Sequence, residues 1–278
     1  MLAFLAARAT PGVEQVIGDQ YRRSLAFADE HGVIEVQPAR EPGYLALSVR
    51  GIATHNLFDV MQRAREAFDL DAPVGDITAA LRRDAVLRKL IAGNAGVRVP
   101  GAWDGFELTV RAILGQQISV KAATTMAGRI ADVYGKPLKL ADGVADAQLS
   151  RVFPSAIELQ RATLTDIGLI RSRAATIRSL AAAVASGDVG FDPTQEPQAF
   201  CKSLCSIKGI GDWTAQYVAM RVLKYPDAFP ASDLGLLKAL EGPRRPTPPE
   251  LLQRAEAWRP WRAYAAQLLW GSLKDSGG

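Results

Sequence analysis

Helical segments follow one another through most of this chain, and strand signals are confined to its first 50 residues. From about residue 77 onward, apolar residues recur at helical spacing, and Gly or Pro stands at nearly every joint. The runs 33–37 and 44–50 are typical of strands, and a turn containing Pro and Gly joins them. The pattern predicts a small α+β domain with a mainly antiparallel sheet, followed by a mostly helical remainder.

Within the α+β domain, the sequence predicts a strand over 3–9, a helix over about 12–27 that begins with Pro11, and a helix over about 55–68. The helical remainder is predicted as segments over about 77–92, 104–119, 121–134, 145–152, 171–186, 195–204, 212–224, 233–240, 248–257 and 261–273. The 278 residues have room for two compact units and a small third.

Composition excludes several classes of protein. Hydrophobic residues make up 48% and charged residues 22%, which excludes disordered and collagen-like chains. No apolar run approaches the roughly 20 residues that span a bilayer. The 2 cysteines cannot staple the chain and fit a reducing cytoplasm. Residues 1–8 are too short an apolar run for a signal peptide, and their abrupt start leads us to expect lost residues or a fusion partner ahead of them.

The excess positive charge lies at one end of the chain. The net charge is +4, and residues 201–278 carry 11 Lys and Arg against 7 Asp and Glu, which accounts for all of it. Such a distribution favours a polyanionic partner docking at the last quarter of the chain. Random surface charge explains the same numbers equally well.

Residues 204–215 contain a short turn between two predicted helices. Glycine at 209 and 211 permits a tight turn and a close backbone approach. The amides that begin the second helix would point outward at the positive end of its dipole, which suits a phosphate. Ile210 would insert into the core and hold the turn. A plain Gly-capped connection between two helices fits these residues as well.

Asp233 lies about twenty residues further on, in the segment 229–236, where Pro230 and Ser232 place it at the start of a helix. Asp is a favoured N-cap, so this segment alone indicates no more than a cap.

Together, the segment Lys208 to Ala215 and the run Asp233-Leu234-Gly235 resemble the helix-hairpin-helix DNA glycosylase superfamily. The similarity is greatest to its AlkA-type 3-methyladenine DNA glycosylase II members, because residues 4–8, 111–116 and 258–264 also match segments of that family in the same order. The resemblance implies an α+β domain over 1–73, a helical domain over 99–215 and a second helical domain formed by 74–98 and 216–278. It places the active cleft between the helical domains.

The resemblance assigns the catalytic carboxylate to Asp233, which would stabilise positive charge on the sugar or activate a water molecule. It implies a base-binding pocket formed by Trp213, Tyr217, Trp270, Phe4 and Gln116. An alkylated base carries positive charge and would stack on these aromatic rings, at about 0.5–2 kcal/mol for each cation–π contact. Core packing is the competing interpretation of each aromatic residue, and a surface glutamine is that of Gln116.

The resemblance also assigns DNA contacts. The DNA phosphate-binding hairpin would be formed by Lys208, Gly209, Ile210, Gly211 and Thr214, with a sodium ion held by hairpin carbonyls as in relatives. Gln117 stands where the family inserts a leucine into the gap left by the flipped base, so the wedge here is polar. Leu234 replaces an aromatic residue beside the aspartate.

Several absences are informative. Relatives that also cut the strand carry a lysine nucleophile where this chain has Trp213, so we expect a monofunctional glycosylase. Cys201 and Cys205 are too few for an iron–sulfur cluster, and His31 and His55 form no zinc set. We therefore expect a monomer without a catalytic cofactor, acting on double-stranded DNA containing alkylated bases in the bacterial cytosol or nucleoid, with no membrane association.

Two other functions remain open at this point. One is a non-catalytic helix-hairpin-helix module that binds DNA or senses damage. The other is an oxidised-purine glycosylase with lyase activity.

Overall fold

The computed structural model describes residues 1–27, 30–94, 96–141, 143–144, 146 and 148–273. Its strands are β1 (Glu14–Ile17), β2 (Gln20–Phe27), β3 (Glu30–Pro38), β4 (Leu45–Arg50), β5 (Lys136–Pro137) and β6 (Arg151–Val152). Its helices are α1 (Leu2–Ala6), α2 (Leu57–Ala67), α3 (Val74–Leu81), α4 (Ala85–Gly93), α5 (Gly105–Leu114), α6 (Val120–Tyr134), α7 (Ala156–Leu159), α8 (Arg171–Ser186), α9 (Pro197–Cys205), α10 (Asp212–Val222), α11 (Leu234–Ala239), α12 (Pro248–Ala255) and α13 (Arg262–Ser272). Single 3-10 turns span Thr54–Asn56, Leu164–Ile167 and Glu256–Trp258.

The expected fold class is confirmed: an antiparallel sheet near the start of the chain is followed by a mostly helical remainder. The four strands pair in the order β1-β2-β3-β4, with Ile34 opposite Val49 and Val36 opposite Leu47. Val33, Ile34 and Val36 of β3 are buried, so the central strand supplies much of the core of this sheet.

The predicted helix over 12–27 is wrong, because this segment forms the hairpin of β1 and β2. Tyr21, Arg23 and Leu25 are buried at the two-residue spacing that places side chains on one face of a strand, and Ser24 on the other face is buried as well. Ile17 pairs with Gln20, and Gly18 between them takes φ +58°, a conformation that glycine adopts readily in a two-residue hairpin turn.

Two other predicted elements also differ from the structure. Residues 3–9 were expected as a strand, but α1 is a short helix, since an unbroken apolar run carries no periodicity to separate the two states. The helix expected over 145–152 falls partly outside the described residues, at 145 and 147, and its end is the short strand β6, paired with β5.

The helix expected over 77–92 is two helices. Asp84 separates them, because its carboxylate accepts the amides of Val86 and Leu87 and starts α4 afresh. Similarly, α5 ends at Leu114, and Ser119 caps the following helix through the amide of Ala122.

The chain divides into two units. The sheet unit contains Met1–Arg65, Trp103–Gly190 and Ile207–Gly209. The helical unit contains Glu66–Ala102, Phe191–Ser206 and Ile210–Gly278. The three-part layout implied by the resemblance stays a prediction.

Buried ion pairs tie α5 into the sheet unit. Arg23 of β2 lies 2.7 Å from Glu107 of α5 and 3.4 Å from Glu14 of β1. Burial raises the pKa of Glu107, against the lowering effect of Arg23. These bonds fix the helix whose C-terminal end carries Gln116 and Gln117.

Candidate functional site

Asp233 begins α11, as the sequence predicted. Its side chain is half-buried, and its Oδ1 accepts the amide of Leu236 at 3.0 Å. The carboxylate is therefore a helix cap, but it is not sealed inside the core.

Two tryptophans also bind this carboxylate. The Nε1 of Trp213 donates to Oδ2 of Asp233 at 2.8 Å, and the Nε1 of Trp270 donates to Oδ1 at 2.8 Å. With the amide of Leu236, three donors converge on one carboxylate and fix its orientation. A carboxylate offers about four acceptor positions, so one remains, on Oδ2.

The aromatic side chains form a cage around this group. Trp213 and Tyr217 lie one helical turn apart on α10, and their rings stack with centroids 5.4 Å apart and planes at 7°. Tyr217 meets Trp270 edge-on, at 6.3 Å and 67°. All three rings are half-buried, which distinguishes them from core aromatic residues. The structure thus brings together four of the predicted site residues within the helical unit.

Gly235 leaves the space that Asp233 and Trp270 occupy beside it. A Cβ atom added there would lie 3.0 Å from Oδ1 of Asp233 and 3.2 Å from Cδ1 of Trp270. Any side chain at this position would therefore push on the carboxylate or on the indole that holds it. In the sequence, Gly235 belongs to a segment that resembles the family, but no role was predicted for it.

The hairpin runs from α9 to α10. Lys208, Gly209 and Gly211 are exposed, whereas Ile210 and Thr214 are buried. Gly209 takes φ +95°, and a Cβ atom there would overlap Oγ1 of Thr176. Gly211 has ordinary φ and open space around it, and as the N-cap of α10 it offers no side chain to the first amides. The fold therefore requires glycine at 209, whereas at 211 only an external molecule would require it.

A second set of bonds joins the hairpin to the loop after α5, within the sheet unit. The Nε2 of Gln116 donates to the carbonyl of Gly209 at 3.0 Å, and Arg173 donates to the carbonyl of Gln116 at 2.6 Å. The Oγ1 of Thr176 donates to the carbonyl of Lys208 at 3.0 Å. Arg173 and Thr176 had no signal in the sequence, because their roles depend on contacts far along the chain.

These bonds bear on two predictions. The side chain of Gln116 lies against the hairpin backbone, and its place in the base pocket stays a prediction. The carbonyl oxygens of Lys208 and Gly209 each accept one side-chain hydrogen bond, and a sodium ion held by the hairpin carbonyls stays a prediction.

Gln117 is exposed and takes φ +59°, so it projects from a turn of unusual backbone conformation. Phe4 lies in α1 of the sheet unit, with the guanidinium of Arg8 3.9 Å over its ring. The wedge role of Gln117 and the pocket role of Phe4 stay predictions.

Arg221 is a residue that sequence reasoning missed. It follows Tyr217 by four residues, and its NH1 donates to the Tyr217 hydroxyl at 2.6 Å. The signal was available, since Trp213, Tyr217 and Arg221 continue one spacing of four.

Among the described residues, no group of three or more His, Cys, Asp and Glu side chains could hold a metal ion. Cys201 and Cys205 are free thiols. Burial raises the pKa of Cys201 to about 11, with a further contribution from Asp212, so its thiolate is scarce near neutrality. In the part of the chain that the structure covers, no helix is long and apolar enough to cross a membrane.

Comparison with known families matches both parts of the chain. Residues 1–104 match the AlkA N-terminal domain, and residues 110–262 match the HhH-GPD superfamily base excision DNA repair protein. The second match covers more than half of the chain and includes the hairpin, Asp233 and all of α10.

Two curated relatives and one solved structure illustrate the similarity. The "Probable bifunctional transcriptional activator/DNA repair enzyme AlkA" of Mycobacterium tuberculosis is 37% identical over 271 residues, which are 97% of this chain and 53% of that protein. The chain thus spans about half the length of this relative. DNA-3-methyladenine glycosylase 2 of Escherichia coli is 34% identical over 277 residues, which are 97% of this chain and 92% of that protein. A 3-methyladenine DNA-glycosylase structure from Archaeoglobus fulgidus superimposes with a TM-score of 0.83 at 21% identity, covering 99% of this chain and 94% of the other, and shows the shared fold.

Proposed function

Since the chain belongs to the HhH-GPD superfamily of base excision DNA repair proteins, with an AlkA N-terminal domain ahead of that region, we propose that it is a monofunctional DNA glycosylase for alkylated bases. It would hydrolyse the N-glycosidic bond of 3-methyladenine or 7-methylguanine in double-stranded DNA and leave an abasic site. The E. coli relative named DNA-3-methyladenine glycosylase 2 supports this substrate class.

One observation carries the proposal: Asp233 is held by two indole N–H groups inside a half-exposed aromatic cage. A carboxylate that is buried for a structural role is almost always paired with a cation. Within the described part of the chain, Asp233 forms no ion pair with Lys or Arg. Its negative charge is therefore available to a positively charged reaction centre.

DNA would be held by the hairpin. Lys208 supplies an exposed positive charge, and the uncapped first amides of α10 supply donors for a phosphate. The space around Gly211 lets the backbone approach that phosphate closely. These contacts are independent of base sequence, as a repair enzyme requires.

The lesion would leave the stack and enter the cage. The rings of Trp213, Tyr217 and Trp270 present electron-rich surfaces to a base that alkylation has made cationic. Gln117 would occupy the gap in the duplex by hydrogen bonding.

Bond cleavage would then need one carboxylate. As the N-glycosidic bond breaks, its electron pair leaves with the base and neutralises the charge on that base. Positive charge develops on the sugar, and the fixed carboxylate of Asp233 stabilises it. Water adds to C1′, and the remaining acceptor position on Oδ2 of Asp233 can take its proton. An alkylated base leaves readily, so no organic cofactor or redox metal takes part.

We further infer that the protein acts as a monomer on the nucleoid. Trp213 stands where lyase relatives carry a nucleophilic lysine, so the product is an intact strand with an abasic site.

The test uses DNA methylated with dimethyl sulfate. The wild type should release free 3-methyladenine and 7-methylguanine, and Asp233→Asn should not. Borohydride should trap no covalent adduct. DNA binding without release would favour the non-catalytic module, and a trapped adduct would favour the lyase.

A further inference from the structure

Arg221 lies in the last turn of α10 and is only 6% exposed. It shares a helix face with Trp213 and Tyr217, which precede it by eight and four residues. A buried arginine is rare unless its donors are satisfied, so each of its bonds is informative.

The guanidinium of Arg221 donates hydrogen bonds to the backbone on one side and to a tyrosine hydroxyl on the other. Its Nε donates to the carbonyl of Pro100 at 2.8 Å, and its NH2 donates to the carbonyl of Gly101 at 2.9 Å. Its NH1 donates to the hydroxyl of Tyr217 at 2.6 Å, and its central carbon lies 5.3 Å from the centroid of that ring. One side chain therefore connects two backbone carbonyls to one edge of the aromatic cage.

The backbone that anchors Arg221 is itself firmly held. The amide of Gly101 donates to the carbonyl of Ala67 at 2.9 Å, and a Cβ atom at Gly101 would overlap the carbonyl of Glu66. The amide of Val99 donates to Oδ2 of Asp69 at 2.8 Å. Segment 99–101 is thus held by bonds that do not involve Tyr217, and Arg221 is attached to this held backbone.

The effect of this anchor reaches the carboxylate in two steps. Tyr217 stacks on Trp213 and meets the edge of Trp270, and these two indoles hold the oxygens of Asp233. If the ring of Tyr217 could change its orientation, the two indoles would lose a fixed packing neighbour. Small displacements of a reacting group lower rates steeply.

We propose that Arg221 is a positioning residue for base excision, anchored on the Pro100 and Gly101 carbonyls to fix Tyr217 and, through it, the indole pair that orients Asp233. The inference rests on the proposed glycosylase function. Lysine cannot replace this arginine, because a single ammonium cannot reach two carbonyls and a phenol in a fixed plane.

The test compares Arg221→Lys with Arg262→Lys. Arg262 is an equally buried arginine of the helical unit that bonds to Asp227 and Glu256, away from the cage. Under single-turnover conditions with saturating enzyme, Arg221→Lys should excise methylated bases about 10- to 100-fold more slowly. Its affinity for DNA carrying an abasic-site mimic should stay within about twofold of wild type. Arg262→Lys should lower the melting temperature and keep the wild-type rate.

Near-ultraviolet circular dichroism supplies a measurement that does not depend on activity. The stacked rings of Trp213 and Tyr217 should contribute a signal that weakens in Arg221→Lys and persists in Arg262→Lys. If the wild type releases no base, the proposed function fails, whereas this spectral difference still decides whether Arg221 holds the cage.

Tyr217→Phe keeps the proposal testable if Arg221→Lys does not fold. This variant removes the hydroxyl that accepts from Arg221 and keeps the aromatic ring, and the carbonyls of Pro100 and Gly101 remain available to the guanidinium. It should reproduce the slower excision, and the double variant should be no slower than either single one. Wild-type excision in Arg221→Lys or in Tyr217→Phe, or additive losses in the double variant, would overturn the inference.

Discussion

Two aspartates in the helical unit begin helices and accept an indole N–H, and they invite comparison. Asp84 caps α4 and accepts the Nε1 of Trp258 at 3.1 Å. Asp233 caps α11 and accepts the Nε1 of both Trp213 and Trp270 at 2.8 Å. The local chemistry is nearly the same, although the sequence predicted a helix start only at Asp233 and a continuous helix through Asp84.

Their surroundings separate them. Trp258 is 2% exposed and packs edge-on against Phe229, and Arg254 lies 3.5 Å from the Asp84 carboxylate. The indoles around Asp233 are half-buried, and among the described residues no cation pairs with that carboxylate. The same hydrogen bonds thus stabilise the fold at Asp84, where an arginine pairs with the half-buried carboxylate and the indole is buried. At Asp233, where the aromatic cage is half-exposed and no cation pairs with the carboxylate among the described residues, these hydrogen bonds leave the negative charge accessible to a ligand.

Removing each carboxylate in turn should give the largest difference between the two aspartates in excision rate and in melting temperature. Asp233→Asn should lower base release by about 100-fold or more, because it removes the fixed charge aimed at the sugar. Asp84→Asn should lower the melting temperature and leave the rate per folded molecule unchanged. Single-turnover excision and thermal unfolding, measured on both proteins, check this. Equal losses of rate in the two variants would show that Asp233 is also only structural.

Removing one indole N–H in each cluster should give the next largest effect. Trp213→Phe keeps a ring in the stack but leaves Oδ2 of Asp233 without that donor, so excision should slow about 10- to 100-fold. Trp258→Phe should instead lower the free energy of unfolding by about 2–3 kcal/mol, since it opens a gap in the core and loses one bond. Urea unfolding alongside excision kinetics separates the two. A wild-type rate for Trp213→Phe would count against the carboxylate-holding role.

Two glycines near these caps offer a smaller test. Gly235→Ala places a methyl group against Asp233 and Trp270, so the rate should fall several-fold. Gly93→Ala lies in α4, where a Cβ atom meets open space, and should leave the rate unchanged while raising helix stability by up to about 1 kcal/mol. Excision rates of the purified variants decide this. An unaffected Gly235→Ala rate would mean that the site tolerates displacement of its carboxylate.

The pH dependence of stability should show the smallest effect. Partial burial raises the pKa of Asp84, but the Leu87 amide, the Trp258 indole, the Val86 amide and Arg254 together outweigh it and hold that pKa below the ordinary 3.8. The ionised Asp84 therefore contributes stability above its unfolded pKa, and this contribution disappears as the pH falls through the lower folded value. Melting temperatures between pH 7 and pH 3 should fall less steeply for Asp84→Asn than for wild type. Parallel curves would exclude Asp84 as a source of the acid sensitivity.

Much of the candidate site could be predicted, because its signals are local. The turn at Gly209, the cap at Asp233 and the shared face of Trp213 and Tyr217 all depend on residues a few positions apart. The helix expected over 12–27 failed for the opposite reason: its strand character depends on pairing with β3, where Tyr21 lies opposite Val36. Pairing across a sheet overrides what a short segment prefers by itself.

At the site, the hydrogen bonds of Gln116 and Arg221 could not be predicted either, because they also depend on residues far away in the sequence. Their partners Gly209 and Gly101 lie 93 and 120 positions away in the sequence, so no spacing could identify those bonds.

The family, the order of most helices and the residue types available for chemistry could be identified from the sequence alone, since these follow from short-range spacing and ordered motifs. Which aspartate keeps an exposed, un-neutralised charge depends on how the helices pack. Asp233 meets its two indoles across 20 and 37 residues of chain, and burial and ion pairing at such distances arise only when separate helices pack together.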